Sequence, residues 1–248
     1  MIHELSARVV KNRPLTPRVY ELVLELPPGS LRGVKPGQFL MLKPSPTFDP
    51  LGRRAFAFAD LTESRAVVFY EVRGRGTKLL TRVKEGERLS VLLPLGKRVF
   101  PLEGERHLLL GGGIGLAGLT LLAKELFKRG KELLVAYGAR SKEELALLSF
   151  LERLGVPFEV YTEDGSYGKR GLVTEALKRF KGWTVHACGP KGMLRAVKEA
   201  TKGEAYLSLE ERMACGYGVC LGCAVKTAGG YGRVCYEGPV FKAGEVEL

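Results

Sequence analysis

The chain has 248 residues, 45% of them hydrophobic, with 39 Lys and Arg against 27 Asp and Glu for a net charge of +12. That length suits two small domains with an appendage, and the apolar content is enough for real cores. No apolar run approaches the ~20 residues of a membrane span, the basic residues are interleaved with Glu rather than gathered into a block with aromatics, and the N-terminus has no signal-peptide pattern, so we expect a cytoplasmic protein that binds neither membrane nor nucleic acid.

Residues 1–100 read as strands. In RVYELVLEL, Tyr20, Leu22, Leu24 and Leu26 alternate against Glu21 and Glu25, a period of two. GQFLMLK, RRAFAFA, AVVFYEV and RLSVLL are further short runs, separated by the turn signals PPG, KPG, RGRG and KEG. Such spacing predicts a small antiparallel β-barrel, with TKLLTRV as its one short helix. Arg53 and Arg54 stand beside an apolar strand, where a guanidinium can clamp a pyrophosphate.

Residues 101–208 alternate strand and helix, the pattern of a parallel α/β sheet. RHLLLGG, KELLVAYGA, PFEVYTE, WTVHACG and AYLSL read as strands. Between them, SKEELALLSFLERLG predicts one helix, with a capping box of Ser141 and Glu144 and a stop at Gly155. The loop after the first strand, Gly111, Gly112, Gly113, Ile114 and Gly115, continues to Gly118 as G-x-G-x-x-G and opens a helix. In that position it either cradles a pyrophosphate or is a tightly packed turn. The fourth strand ends in Cys188, Gly189 and Pro190, where parallel sheets present ligands. Cys188 either lines that nucleotide site or is a small buried thiol. Arg140 and Lys142, on the loop after the second strand, are candidates for a 2′-phosphate.

Residues 209–248 hold Cys215, Cys220, Cys223 and Cys235 in the spacing C-x4-C-x2-C-x11-C. The first two gaps match plant-type ligation of a [2Fe–2S] cluster. Gly216, Gly218 and Gly222 lie among the cysteines and let backbone N–H groups point at sulfur. A zinc staple, free thiols and disulfides are the alternatives; zinc sites more often show two C-x2-C pairs, and here there is one. None of the histidines shows catalytic spacing, and electron transfer needs none.

Barrel, nucleotide sheet and cysteine tail in this order resemble the ferredoxin-reductase superfamily. Within it, the tail EERMACGYGVCLGCAV followed by VCYEGPVF, from Glu210 to Phe241, is similar to that of electron-transfer subunits of type B dihydroorotate dehydrogenases. The resemblance covers the whole chain. It implies FAD on the barrel, NAD on the sheet and a [2Fe–2S] cluster on the four tail cysteines. It carries the FAD motif onto Arg54, Ala55, Phe56 and Ala57, then onto Tyr70, Glu71 and Val72, then onto Gly76 and Thr77. Ala57 replaces a hydroxyl residue, and Glu71 stands where related chains often carry arginine. It further implies a partner, the FMN-containing dihydroorotate dehydrogenase catalytic subunit, in a heterotetramer of two copies of each, serving pyrimidine biosynthesis. Rival readings are a small subunit of another NAD(P)H–ferredoxin, sulfide dehydrogenase or hydrogenase flavoprotein, and a zinc-stapled nucleotide-binding regulator.

Overall fold

The computed structural model describes residues 2–47 and 49–248. Its first sheet holds β1 (His3–Pro14), β2 (Val19–Glu25), β3 (Phe39–Leu42), β4 (Arg54–Ala57), β5 (Asp60–Leu61), β6 (Arg65–Glu71) and, after helix α1 (Arg75–Leu80), β7 (Arg88–Leu95). Their order is β4-β3-β7-β1-β2-β6-β5, every pair antiparallel. The sheet curls into an open half-barrel, and Phe56 of β4 meets Tyr70 of β6 with ring centroids 5.9 Å apart. The barrel and the short helix match the sequence reading. The long central strand β1 was not anticipated, although Leu5, Ala7 and Val9 alternate inward along it.

Glu21 departs from the simple alternation, being only 5% exposed. The second domain covers that face of β2. Arg13 (2.6 Å) and Lys11 (3.6 Å) pair with the Glu21 carboxylate, and Arg153 approaches it to 3.9 Å from across the junction. A carboxylate can be buried there because cations surround it.

The second sheet begins with β8 (Arg106–Gly112), a 3-10 turn over Gly113–Leu116 and α2 (Ala117–Lys128). β9 (Glu132–Ala139), α3 (Leu148–Leu154), β10 (Phe158–Thr162), β11 (Lys169–Arg170), β12 (Thr184–Cys188), α4 (Lys191–Ala200) and β13 (Tyr206–Ser208) follow. The tail adds a hairpin of β14 (Ala224–Thr227) and β15 (Gly230–Arg233), then β16 (Val240–Lys242). The strand order is β11-β10-β9-β8-β12-β13-β16, parallel up to β13 and antiparallel for β16. The chain reverses its direction of travel across the sheet between β8 and β12, so a ligand crevice is expected at their carboxyl ends.

The single helix expected over 141–155 is broken. Lys142–Glu144 make a 3-10 turn, and regular helix starts only at Leu148. Both capping-box side chains are engaged elsewhere: the Ser141 hydroxyl donates to Glu143 (2.6 Å), and Glu144 pairs with Arg140 (2.6 Å). Leu145 and Leu147 are buried beneath the break, and Tyr137 Oη accepts the Leu147 N–H at 3.4 Å. Gly155 does end α3, in the left-handed region at φ 70°.

The parts are knitted together. Thr120 donates to the Ala59 carbonyl at 2.7 Å, Lys124 pairs with Asp60, and Phe69 meets Phe150 edge-on at 4.9 Å. Cys223 and Cys235 pack in a common core with Met41 and Leu95 of the barrel and Leu207 of the sheet. No helix among the described residues is long and apolar enough to cross a membrane.

Candidate functional site

The carboxyl ends of β8 and β12 open onto a cleft of about 1070 Å³ between barrel and sheet. Its floor is two loops in backbone contact. A β-carbon on Gly115 would lie 2.6 Å from the Cys188 carbonyl oxygen, so no larger residue lets the loops approach this closely. Gly113, at φ 54°, faces open space instead. Within the glycine loop, Gly115 thus permits tight packing, while Gly113 stands clear of its neighbours. Pro190 and Met193 close the far side of the floor.

The rim near β9 and β10 carries Glu143, Glu144 and Glu163, with Arg140 as the cation among them. Arg140 is tied to Glu144, and Lys142 Nζ sits 5.7 Å from the centre of the Tyr167 ring. Carboxylates outnumber cations at this rim, which suits a ribose diol and disfavours a 2′-phosphate.

On the barrel side the cleft is bordered by Glu71 and Arg73, joined at 2.6 Å, and by Glu210 of the tail. Glu210 is exposed on the cleft, with Arg73 and Glu71 near its carboxylate. Burial raises its carboxyl above the usual range; Arg73 opposes that shift and Glu71 adds to it.

Cys188 is 1% exposed, with its thiol facing Gly118, where a β-carbon would lie 3.2 Å from Sγ. Burial, then the Glu210 charge, push its pKa up, so the group is a neutral thiol. The same imagined β-carbon would lie 3.9 Å from that of Ala57, so Ala57, Gly118 and Cys188 meet where barrel and sheet join.

Arg54 opens β4, and its guanidinium donates to the Gly52 carbonyl and, at 3.1 Å, to the Arg53 carbonyl. Gly76 packs on it so closely that a β-carbon would lie 2.5 Å from Nε. Among the described residues no carboxylate pairs with Arg54, whereas Arg53 is held by Glu4 and Ser90. A half-buried guanidinium with only carbonyl acceptors fits an anionic ligand. Thr77 accepts the N–H groups of Arg73 (3.0 Å) and Gly74 (3.2 Å), which fixes the turn around Gly76.

All five cysteines are free. The tail cysteines neighbour one another two by two: Cys220 lies beside Cys215, and the Cys235 N–H reaches the Cys223 sulfur at 3.4 Å. Burial acts to raise Cys215, but the N–H groups of Cys220, Tyr217 and Val219 and the Cys220 thiol outweigh it and hold Cys215 at about 6. The Val219 N–H lies 3.4 Å from the Cys215 sulfur. Burial and the Cys223 sulfur push Cys235 up to about 12. Gly216, at φ 85°, is pressed against Met41, with 2.1 Å left between an added β-carbon and Sδ. Among the described residues no three His, Cys, Asp or Glu side chains come together as ligands of one ion. Sulfurs that take main-chain N–H groups, as Cys215 does from Val219 and Cys223 from Cys235, suit a cluster that thiolates would hold.

The profile of the iron–sulfur cluster binding domain of dihydroorotate dehydrogenase B matches residues 210–247. Over its full length the chain is 55% identical to the dihydroorotate dehydrogenase B (NAD(+)) electron transfer subunit homolog of Aquifex aeolicus, with all of both chains covered. It is 42% identical to the corresponding electron transfer subunit of Caldanaerobacter subterraneus, over 98% of each chain. The chain belongs to the dihydroorotate dehydrogenase B electron-transfer-subunit family. Among solved structures, the NADH-dependent reduced ferredoxin–NADP oxidoreductase superposes with a TM-score of 0.85 at 27% identity, covering 97% of this chain and 89% of that one. Phthalate dioxygenase reductase shares the fold at a TM-score of 0.71 and 16% identity, over 91% and 87% of the two chains.

Seen as a member of the dihydroorotate dehydrogenase B electron-transfer family, the chain brings part of its expected site together and holds part apart. Glu71, Gly112, Gly113, Gly115, Gly189 and Pro190 line the cleft. Gly111 lies beneath it, against Leu116. Ala55, Phe56 and Ala57 are half-buried along β4, and Val72 takes up the main-chain pairing just past β6, its N–H reaching the Arg18 carbonyl at 2.7 Å. Tyr70 is a core residue, 1% exposed, stacked on Tyr20 at 5.3 Å and donating its hydroxyl to Asn12 at 2.9 Å. Burial raises its pKa, so it stays protonated. The sequence reading missed Arg73, Glu210 and the acidic rim. Arg73 had a signal: it stands two residues beyond Glu71, on the same face of an extended chain, and so supplies a guanidinium despite the glutamate at 71.

Proposed function

We propose that this chain is the electron-transfer subunit of an NAD⁺-linked dihydroorotate dehydrogenase. In this reading residues 1–100 bind FAD, 101–208 bind NAD and 209–248 carry a [2Fe–2S] cluster. What carries it is the tail: Cys215, Cys220, Cys223 and Cys235 all lie within the segment matched by the iron–sulfur domain of this enzyme, with the Val219 N–H on the Cys215 sulfur and the Cys235 N–H on the Cys223 sulfur. That arrangement favours the two-iron cluster over a zinc staple.

Bound here, the cluster would supply one-electron steps and the flavin hydride transfer to NAD⁺. The chain's residues would bind and space them. The four sulfurs would hold the iron, and N–H groups such as that of Val219 would stabilise negative charge on sulfur. Arg54, packed on Gly76, would hold the flavin pyrophosphate. Gly113 and the start of the turn at Gly113–Leu116 offer N–H groups to the dinucleotide, and Glu143, Glu144 and Glu163 favour NAD over NADP.

Cys220 is exposed, and Tyr217, Val219 and Leu221 around it are 47%, 72% and 61% exposed. We assign this apolar face to the FMN-containing catalytic subunit, because an electron must enter the cluster from a second polypeptide. The complex would be a heterotetramer in the cytoplasm, serving pyrimidine biosynthesis.

The test is reconstitution. The chain, purified without oxygen, should contain about two irons, two acid-labile sulfides and one FAD, and should confer dihydroorotate-dependent NAD⁺ reduction on the FMN subunit. A preparation with zinc in place of iron and sulfide, or with all cofactors but no coupling to that subunit, would defeat the proposal. The second result would favour another flavoprotein complex, a reading supported by the 0.85 TM-score to the NADH-dependent reduced ferredoxin–NADP oxidoreductase.

A further inference from the structure

The two thiol pairs lie on different pieces of chain. Cys223 and Cys235 are tied by main-chain pairing: the Val234 N–H meets the Cys223 carbonyl at 3.0 Å, and the Cys235 N–H meets the Cys223 sulfur at 3.4 Å. Cys215 and Cys220 lie on a loop without helix or strand. Something must hold that loop at the right gap from the other pair.

Arg233, at the end of β15, reaches across the gap. Its Nη1 donates to the Gly218 carbonyl, midway between Cys215 and Cys220, at 2.5 Å. Gly218 is thus held from outside the loop at both of its main-chain groups, its carbonyl by Arg233 and its N–H by the Cys235 sulfur. The rest of the guanidinium is locked by Glu237: Nε donates at 2.9 and 3.2 Å, Nη2 donates to Oε1, and the Arg233 backbone N–H meets the same carboxylate at 2.7 Å. The Arg233 carbonyl in turn accepts the N–H groups of Tyr236 (3.0 Å), Glu237 (2.9 Å) and Gly238 (3.3 Å). The Tyr236 ring lies 4.6 Å from the guanidinium carbon and 3.6 Å from Lys97 Nζ of the barrel. Gly218 has no room for a β-carbon, which would come within 2.8 Å of that ring.

We propose that Arg233, braced by Glu237, is the positioning residue that fixes the Cys215–Cys220 loop against the Cys223–Cys235 segment and so sets the span the two-iron cluster bridges. This rests on the cysteine assignment above. The ion pair neutralises the guanidinium charge, so the pair acts through geometry: an arginine fork satisfies a carboxylate on one side and keeps a donor for a carbonyl on the other. A lysine cannot do both.

The experiment uses the full chain, purified without oxygen, as wild type, Arg233→Gln, Arg233→Lys and Glu237→Gln. Three quantities are read: iron and acid-labile sulfide per chain, the electron paramagnetic resonance spectrum of the reduced cluster, and the rate at which a chelator bleaches its visible absorbance. FAD content and NADH-to-dye activity, which bypass the cluster, report on the remaining fold. Arg233→Gln should lose its cluster about tenfold faster, as removal of one charge-assisted hydrogen bond implies, with a broadened spectrum and wild-type flavin. Arg233→Lys should not restore the wild-type rate, and Glu237→Gln should fall between. Wild-type bleaching and spectrum in Arg233→Gln would overturn the clamp while leaving the cysteine assignment standing. A wild-type chain without iron would instead overturn the assignment. If Arg233→Gln also loses flavin, Glu237→Gln decides: faster bleaching with flavin retained supports the clamp, and an unchanged rate refutes it.

Discussion

Gly115 approaches Cys188 so closely that its missing side chain is what allows the two loops beneath the cleft to touch. An added β-carbon would sit 2.6 Å from the Cys188 carbonyl oxygen and 2.7 Å from the Gly189 α-carbon. Both are backbone atoms on a strand end, which cannot swing aside as a side-chain tip does.

Gly115→Ala should therefore force the loops apart. Overpacking of this kind costs about 1–3 kcal/mol, and the widened floor should raise the KM for NADH in dye reduction several-fold while leaving flavin content intact. Thermal unfolding and steady-state kinetics measure the two effects. An alanine variant with wild-type melting and wild-type KM would mean that the loops are not held this close in solution.

Arg53 and Arg54 are adjacent in sequence but should behave differently. Arg53 is engaged with Glu4 and with Ser90, whereas Arg54 has only carbonyl acceptors. Arg54→Ala should weaken FAD binding by about tenfold or more, the scale of a lost charge-assisted contact. Arg53→Ala should keep its flavin and lose at most about 1 kcal/mol of stability, because its partner Glu4 is 62% exposed. The ratio of flavin to protein absorbance after gel filtration separates them. Equal flavin loss in both would place the pyrophosphate elsewhere.

Nicotinamide choice should respond to the rim. Arg140 is 74% exposed and Glu144 42%, so their bond is a weak surface pair and the carboxylate's charge matters more than the bridge itself. Glu144→Gln frees the guanidinium and removes one negative charge beside Glu143 and Glu163. The KM for NADPH should fall about two- to fivefold, with little change for NADH. If the two coenzymes respond alike, the adenosine end binds away from this rim.

The legible parts of this protein were those where local pattern and structure obey the same rule. The period-two run became β2 and the short runs after it became β3, β4, β6 and β7, and the glycine loop lies between a strand and a helix as its position suggested. In the tail, the C-x4-C-x2-C loop folds back on the segment of Cys235, whose N–H reaches the Cys223 sulfur. What escaped the sequence depends on packing between domains. Glu21 looked solvent-facing but is covered by the second domain, and Ser141 and Glu144 looked like a capping box but are held by Glu143 and Arg140. Tyr70, one of the FAD-motif positions the resemblance implied, is enclosed by Tyr20, Phe56 and Asn12. No local pattern shows which neighbour will claim a side chain.

The last prediction concerns acid. His107 and His186 are both fully buried on adjacent strands, with His107 Nδ1 3.1 Å from His186 Nε2 and their rings stacked at 5.3 Å. Phe100 and Tyr206 enclose His186, and its Nδ1 is a buried nitrogen without a hydrogen-bond partner among the described residues. Burial, then the neighbouring His107, push His186 down to about 3. Burial is also the main cause for the lowered pKa of His107, helped by Lys131 and opposed by the Gly104 carbonyl, Glu105 and Glu103. Because both folded-state values lie below the ordinary 6.5, the unfolded chain binds more protons as pH falls. The stabilisation is thus complete above about pH 6.5 and is lost as pH falls below it, for His186 progressively toward pH 3 by about 1.4 kcal/mol per pH unit. His186→Phe keeps an aromatic ring between Phe100 and Tyr206 and removes one of these titrations. Denaturant midpoints of the wild type and the variant between pH 7.5 and 5 should converge or cross as pH falls, with the variant's profile the flatter. Parallel profiles across that range would show that His186 takes up its proton without unfolding.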